Sequence, residues 1–230
     1  MLDPAGADPG VPGAAGAYHD LRAAHTAWVQ RIHAVFFHQG APPLGEGALR
    51  TEQGLAGLRA AAAAHLSAAG QLQVATALDM LAATEARMEV LRARLLDAAR
   101  HLTGAKVLAA RLYGVGPVTA LALTCWLAGA GRFSSSRKAV RFTGLDITVW
   151  SSDSKGPPGR LSRQGPPMLR WAVYEAGKTH ARASAPDHGY YATVKDRKNS
   201  KRAALSEARK IVRQACHILT ELGDDALTAA

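Results

Sequence analysis

The sequence predicts a mainly α fold: a helical arm followed by a compact helical domain that contains a helix-hairpin-helix and a long Ser/Gly/Pro loop. Three observations point there. Hydrophobic residues make up 48% of the chain but aromatics only 6%, an aliphatic, Ala- and Leu-rich composition that suits packed helices better than sheets. Apolar residues recur every three or four positions over most of the length. In the C-terminal half, Leu145–Trp150 is the only run that favours β structure. At 230 residues the chain can bury a core as one large domain or two small ones.

Taken in order, residues 1–17 read as a disordered leader, with Pro4, Pro9 and Pro12 set among glycines and alanines. From Tyr18 to His38 the helical spacing of Leu21, Ala24, Trp28, Ile32 and Val35 begins an arm that extends over residues 18–103. Gly40-Ala-Pro-Pro43 stops this first helix. A shorter, alanine-rich helix is expected around Leu55–Leu66. Val74, Leu78, Leu81, Met88, Leu91, Leu95 and Leu102 then follow at intervals of 4, 3, 7, 3, 4 and 7. That is coiled-coil spacing, and it makes residues 72–102 the expected seam of a homo-oligomer or a core helix of a bundle. Thr103-Gly104 closes the arm, and residues 104–230 form the second domain.

Within that domain, helices are expected over Ala105–Tyr113, from Pro117 through Leu127, and over Arg137–Phe142 with a cap from Ser134-Ser-Ser136. Leu145–Trp150 is a short strand or extended segment. Ser151–Pro167 is a loop of 17 residues, longer than a compact domain needs for a connection. Helices return over Met168–Ala183, over Pro186–Lys198 tipped by Asp187, and over Lys201–Leu222. On the last, Leu205, Ala208, Val212, Ala215 and Leu219 form the apolar face, and Lys201, Arg202, Arg209, Lys210 and Arg213 are the basic residues.

Charge separates the halves. Residues 1–103 carry 8 Lys+Arg and 9 Asp+Glu, whereas residues 104–230 carry 20 and 9. A near-neutral half joined to a strongly basic one points to a specialised surface for a polyanion. The basic residues are spread over several segments, not along one amphipathic helix, which argues against an anionic membrane. No apolar run is long enough for a transmembrane helix, and residues 1–16 lack the basic and apolar regions of a secretory signal. The expected location is cytoplasmic, at the nucleoid. Cys125 and Cys216 lie in apolar helical patterns and read as reduced core thiols. His19, His25, His33 and His38 lack carboxylate or cysteine partners at ligand spacing, so no metal site is expected.

Two motifs can hold phosphate. Tyr113-Gly-Val-Gly-Pro-Val-Thr-Ala120 joins two helices in a helix-hairpin-helix pattern. Gly114 and Gly116 let the backbone approach a phosphate, and the free N–H groups around Thr119 add donors and the positive end of a helix dipole. Such a motif grips nucleic acid without reading sequence. Gly159-Arg-Leu-Ser-Arg-Gln-Gly-Pro-Pro-Met-Leu-Arg170 places Arg160, Arg163 and Arg170 near a helix start, where guanidinium groups match phosphate oxygens. Just before it stand Ser151-Ser-Asp-Ser154 and Lys155. A serine attacking a phosphodiester needs cations nearby to hold the developing charge.

Tyr113–Ala120, Arg132-Phe-Ser-Ser, Phe142-Thr-Gly-Leu145, Ser151–Lys155, Gly159–Gly165 and Leu169-Arg170, in this order, resemble the C-terminal domain of the IS-one-ten insertion-sequence transposases. These are DEDD-type recombinases that include the Piv invertases. Upstream, Leu21-Arg, Trp28–Ala34 and His38-Gln-Gly40 are similar to the helix that follows the nuclease-like domain of that family. The resemblance implies a serine nucleophile in this domain and a guide (bridge) RNA as partner. It also implies an RNase-H-like domain whose four acidic residues bind Mg²⁺. The family's serine follows a proline by about five residues and precedes a glycine. Here Ile147 and Asp153 occupy those positions, so Ser152 is the implied nucleophile and Ser151 the fallback. Before Tyr18 the chain holds only Asp3 and Asp8 as acidic residues. The expectation is therefore a transposase fragment that binds DNA, carries no cofactor of its own, and does not recombine DNA alone. A non-catalytic helix-hairpin-helix module for DNA or RNA, with an oligomerising arm, is the alternative.

Overall fold

A computed structural model describes residues 10–147 and 161–229. Among them the fold is mainly α, as the composition predicts. Nine α-helices appear: α1 Gly10–His38, α2 Glu52–His65, α3 Ala68–His101, α4 Thr103–Arg111, α5 Pro117–Leu127, α6 Ser136–Phe142, α7 Pro167–Lys178, α8 His188–Arg197 and α9 Ser200–Leu222. Extended pairing among the described residues is confined to two isolated antiparallel bridges, Leu102 with Ala229 and Ile147 with Leu161. No helix of the described residues is long and apolar enough to cross a membrane.

The chain divides into two compact units, Ala17–Leu91 and Met1–Gly16 with Arg92–Ala230. The division falls within α3, upstream of the Thr103-Gly104 junction that the sequence marks. In the first unit, Ile32 and Phe36 of α1, Leu58 and Ala62 of α2, and Val74, Ala77 and Leu81 of α3 form one buried cluster. The first part of the heptad seam is thus buried within its own chain. Thr51 caps α2 by accepting the Gly54 N–H at 3.0 Å, and His25 pairs with Glu85 at 2.9 Å.

Helix α1 starts at Gly10, inside the stretch whose composition reads as a disordered leader. Pro12 sits in the first turn, where N–H groups have no intrahelical acceptor and a proline removes nothing. Ala15 and Tyr18 are buried, so helix and packing override the Gly/Pro-rich composition there.

The second unit is built on α9. Leu205, Ala208, Ile211, Val212, Ala215, Ile218 and Leu219 are buried along it, the face that its apolar period predicts. Against it lies α7, with Met168, Leu169, Ala172, Val173 and Ala176 buried. Gly177 lets the two backbones approach: a Cβ there would lie 2.3 Å from the Ala204 carbonyl oxygen and 3.0 Å from the Ala208 nitrogen. Helix α5 is buried through Ala120–Cys125 and Leu127, and Thr103 joins the chain's end by donating to the Thr228 carbonyl.

Two local expectations change. Ser135 stands at the N-cap of α6 but makes no side-chain capping bond. The β-favouring run from Leu145 reaches only one bridge, at Ile147. Its remaining residues, Thr148–Trp150, lie outside the described residues.

Cys125 and Cys216 are buried and unpaired with each other. Burial pushes the Cys125 thiol up to about 12 and raises that of Cys216, against a hydrogen bond with Thr220 that lowers it. Since the thiolate is the reactive form, neither cysteine should react with iodoacetamide at neutral pH in the folded chain. Both should label once denaturant is added, as mass spectrometry would show; labelling of the folded chain would contradict the packing.

Candidate nucleic-acid interface

The α4–α5 connection forms a tight turn, as the hairpin motif predicts. Gly114 adopts a left-handed backbone at φ 76°, which glycine takes without penalty. A Cβ there would meet the Thr179 hydroxyl at 2.1 Å and the Ala176 carbonyl at 3.0 Å. The room made by Gly114 is therefore filled by the C-terminal end of α7. Gly116 differs: it is the N-cap of α5, makes no side-chain capping bond, and has nothing within 4 Å of its Cβ position. Pro117 has no N–H, and the Ala120 N–H bonds the Gly116 carbonyl. The N–H groups of Val118 and Thr119 consequently have no intrahelical acceptor. Beside the turn runs an open groove of about 630 Å³, with Tyr113, Gly116, Thr179 and Arg182 on its walls.

The second site surrounds the ends of segment 148–160. Ile147 and Leu161 pair as a bridge. The Ser162 N–H donates to the Asp146 carbonyl at 2.9 Å, and the Arg163 N–H to the Gly144 carbonyl at 3.2 Å. Gly144 is left-handed at φ 72°, and its missing Cβ makes room for the Gln164 carbonyl. The segment thus enters and leaves at one point. Ser151, Ser152, Lys155 and Arg160 belong to it and lie outside the described residues.

Cations gather at that point. Arg170 donates Nη1 to the Arg163 carbonyl at 3.0 Å, so it fastens the exit strand as well as adding charge. Arg163 is exposed and holds a left-handed backbone at φ 52°. From α9, Arg209 donates Nε to the Leu145 carbonyl at 2.8 Å, fastening the entry side. Burial lowers the Arg209 pKa, and Arg202 and Arg213 lower it further while Asp146 opposes them. Burial, then the charge of Arg163, likewise lowers that of Arg170. Cations that depress one another make a place where a bound anion gains energy.

The two motifs that the sequence offers for phosphate sit at opposite ends of α7. Gly114 packs on Ala176 and Thr179, whereas Arg170 is near the helix start. Nine residues at 1.5 Å each separate Arg170 from Thr179 by about 13 Å. That is too far for the two motifs to meet at one point.

Other motif residues are explained by packing. Arg132 stacks over Phe133 at 4.6 Å and Phe142 at 4.9 Å, and it donates Nη2 to the Trp126 carbonyl. Thr143 is fully buried and donates to the Val140 carbonyl at 2.6 Å. Leu145 is buried.

Residues 107–192 match the model of the Transposase IS116/IS110/IS902 family. Over that stretch the chain is similar to this transposase family. The stretch starts in α4, holds the Gly114–Gly116 turn, Arg163, Arg170 and the whole of 148–160, and ends in α8. No curated protein matches the chain. Arg202, Arg209 and Arg213 lie beyond the matched stretch; Arg209 reaches back to it through Leu145 and Asp146, and Arg202 and Arg213 act on Arg209. Sequence reading placed these arginines among the basic residues of the last helix. It had no signal for which of them meets residues 144–147, since helical spacing gives a face and not a neighbour.

A second cluster was not foreseen. His180, Asp187 and Glu207 have ligand atoms all within 4.8 Å of one another. His180 and Glu207 are buried. Burial lowers the His180 pKa and raises that of Glu207; for His180, Asp187 and a loose contact with the Tyr113 backbone oppose the shift and Lys210 adds to it. Lys210 opposes the rise at Glu207 and Asp187 adds to it.

Proposed function

We propose that the second unit holds nucleic acid for a transposase, and that Ser152, with Ser151 as the alternative, attacks the DNA backbone. The observation that carries this reading is the cationic setting of segment 148–160, whose two ends are fastened by Arg209 and Arg170. In the proposed step the serine hydroxyl loses its proton and its oxygen forms a bond to phosphorus. One P–O bond of the phosphodiester breaks, and the departing sugar oxygen takes a proton. The arginines stabilise the charge that builds on the phosphoryl oxygens. The Val118 and Thr119 N–H groups and Arg182 hold a neighbouring part of the strand.

On this reading, Mg²⁺ and the four acidic ligands come from an RNase-H-like domain, and a guide RNA selects the DNA. Residues 72–102 bring copies together, for which exposed Leu72, Met80 and Val90 on α3 supply apolar surface.

The test is a covalent protein–DNA adduct on a denaturing gel, formed by the chain with an acidic RNase-H-like domain and Mg²⁺. Ser152→Ala should abolish it, and Ser151→Ala should leave it. An adduct that survives both substitutions sinks the serine assignment. Strongly salt-dependent DNA binding without any adduct would favour the non-catalytic module instead.

Arg163 offers a way to separate charge from stability. A non-glycine residue in the left-handed region costs roughly 1–2 kcal/mol, so Arg163→Gly relieves strain while removing a cation. The variant should melt no lower than the parent and bind DNA several-fold more weakly. Unchanged affinity in filter binding would remove Arg163 from the interface.

A further inference from the structure

We infer that His180, Asp187 and Glu207 form a binding site for one divalent transition-metal ion of the zinc class. The site is independent of the serine and of the nucleic-acid reading. Three elements supply it: the 3-10 turn Thr179–Ala181, the residue before α8, and the middle of α9. Their separations in sequence, 7 and 20 residues, match no metal motif; the fold brings them together.

The geometry suits an ion. The His180 Nδ1 lies 3.6 Å from the Glu207 Oε2, and the three ligand atoms are within 4.8 Å of one another. Two atoms each about 2.0–2.2 Å from one zinc ion are at most about 4.4 Å apart. The first spacing fits as it stands, and the longest must close by less than an ångström. One imidazole nitrogen with two carboxylates is a donor set for zinc, cobalt or manganese, whereas calcium takes oxygen ligands alone. Two negative charges balance the ion in the interior.

The unmet polar atoms are the second observation. Both carboxylate oxygens of Glu207, 0% exposed, are buried without a hydrogen-bond partner, and His180, 3% exposed, has no side-chain partner within hydrogen-bond reach, only the approach of the Tyr113 backbone. Buried polar atoms ordinarily find partners, and a carboxylate held several tenths of an ångström beyond hydrogen-bond reach of an imidazole is spaced for an atom between them. Asp187 stands at the N-cap of α8 yet makes no capping bond. Its carboxylate turns instead to Lys210, at 2.8 Å. Lys210 is partly exposed and can withdraw into solvent as the ion takes its place.

Tyr113 packs edge-on against His180, with ring centroids 5.3 Å apart. An ion here would therefore tie α8 and α9 to the turn that carries Gly114. Its role is to stiffen the unit, since two of the three ligands are closed off from solvent.

The experiment uses the full chain, stripped by a chelator and titrated with Zn²⁺ alone, with Co²⁺ as a spectroscopic probe. The expected result is one saturable ion per chain, visible d–d absorption with Co²⁺, and a higher melting temperature with Zn²⁺. Asp187→Asn, at a partly exposed position, should fold and weaken binding by about a hundredfold or more, because loss of an outer-shell partner alone costs ten- to a hundredfold. Lys210→Met should tighten binding by removing the competing ammonium. His33→Asn, outside the cluster, should change nothing. The inference is overturned if the parent chain shows no saturable binding. It is overturned equally if Asp187→Asn binds like the parent, or if binding is lost in His33→Asn.

Discussion

Gly177→Leu should unfold the second unit or leave it with a much lowered melting temperature, because no side-chain movement can make room. The Cβ alone would stand 2.3 Å from the Ala204 carbonyl oxygen and 3.0 Å from the Ala208 nitrogen. Both are backbone atoms of the central helix. Two effects compete in the milder Gly177→Ala. The helix gains about 1 kcal/mol in propensity, while overpacking at a backbone contact costs about 1–3 kcal/mol. The clash wins, since α7 can yield only by moving away from α9 and loosening Ala172, Val173 and Ala176 along its length. Leucine adds three more carbons to the same space and should cost about 3 kcal/mol or more, a large share of the 5–15 kcal/mol that holds a typical domain. Gly116→Ala is the comparison: it has open space and an ordinary φ of −77°, and it should lose only about 1 kcal/mol, the preference of an N-cap for glycine over alanine. Urea denaturation followed by circular dichroism measures all three. A Gly177→Leu chain as stable as the parent would mean that the two helices do not cross closely in solution.

What was legible in the sequence was what a single element decides for itself. The five apolar positions read on the last helix, Leu205, Ala208, Val212, Ala215 and Leu219, are all buried, because helical period alone assigns a face. The Gly-Val-Gly-Pro turn was legible for the same reason, glycine and proline having few conformations to choose from. Proline at the start of α1 was misleading, since its effect depends on its position in a turn and composition does not record that. Contacts between elements were not legible. Gly114 was expected to make room for phosphate, and it makes room for Thr179. Arg170 was expected to hold phosphate, and what the structure gives it is a bond to the Arg163 carbonyl. His180, Asp187 and Glu207 carried no pattern at all. His180 fell inside the helix expected over Met168–Ala183 and Asp187 at a helix tip, and only the packing of α8 and α9 brings them to Glu207.

Removing the charges of Arg202 and Arg213 together should weaken DNA binding strongly while leaving the fold intact. Arg202, Arg209 and Arg213 are spaced by 7 and 4 residues on α9, which places them on one face of the helix. Arg202 and Arg213 are exposed, whereas Arg209 is half-buried and holds the Leu145 carbonyl. The two exposed arginines therefore report charge, and Arg209 reports positioning. Each phosphate contact contributes about 0.9 to the slope of log K against log salt on duplex DNA. Arg202→Ala with Arg213→Ala should lower that slope by about 2 and reduce affinity by roughly 10²-fold near 0.1 M salt. Arg59→Ala with Arg87→Ala removes the same charge from the neutral unit and should do little. Arg209→Lys keeps the charge and loses the planar donor that fastens Leu145. It should hold the salt slope and affinity close to the parent's while slowing formation of the serine–DNA adduct. Fluorescence anisotropy across a salt series separates these outcomes. Equal slopes for the two double variants would place the DNA elsewhere, and an Arg209→Lys chain that forms adduct at the parent's rate would free residues 144–147 from any part in positioning the serine.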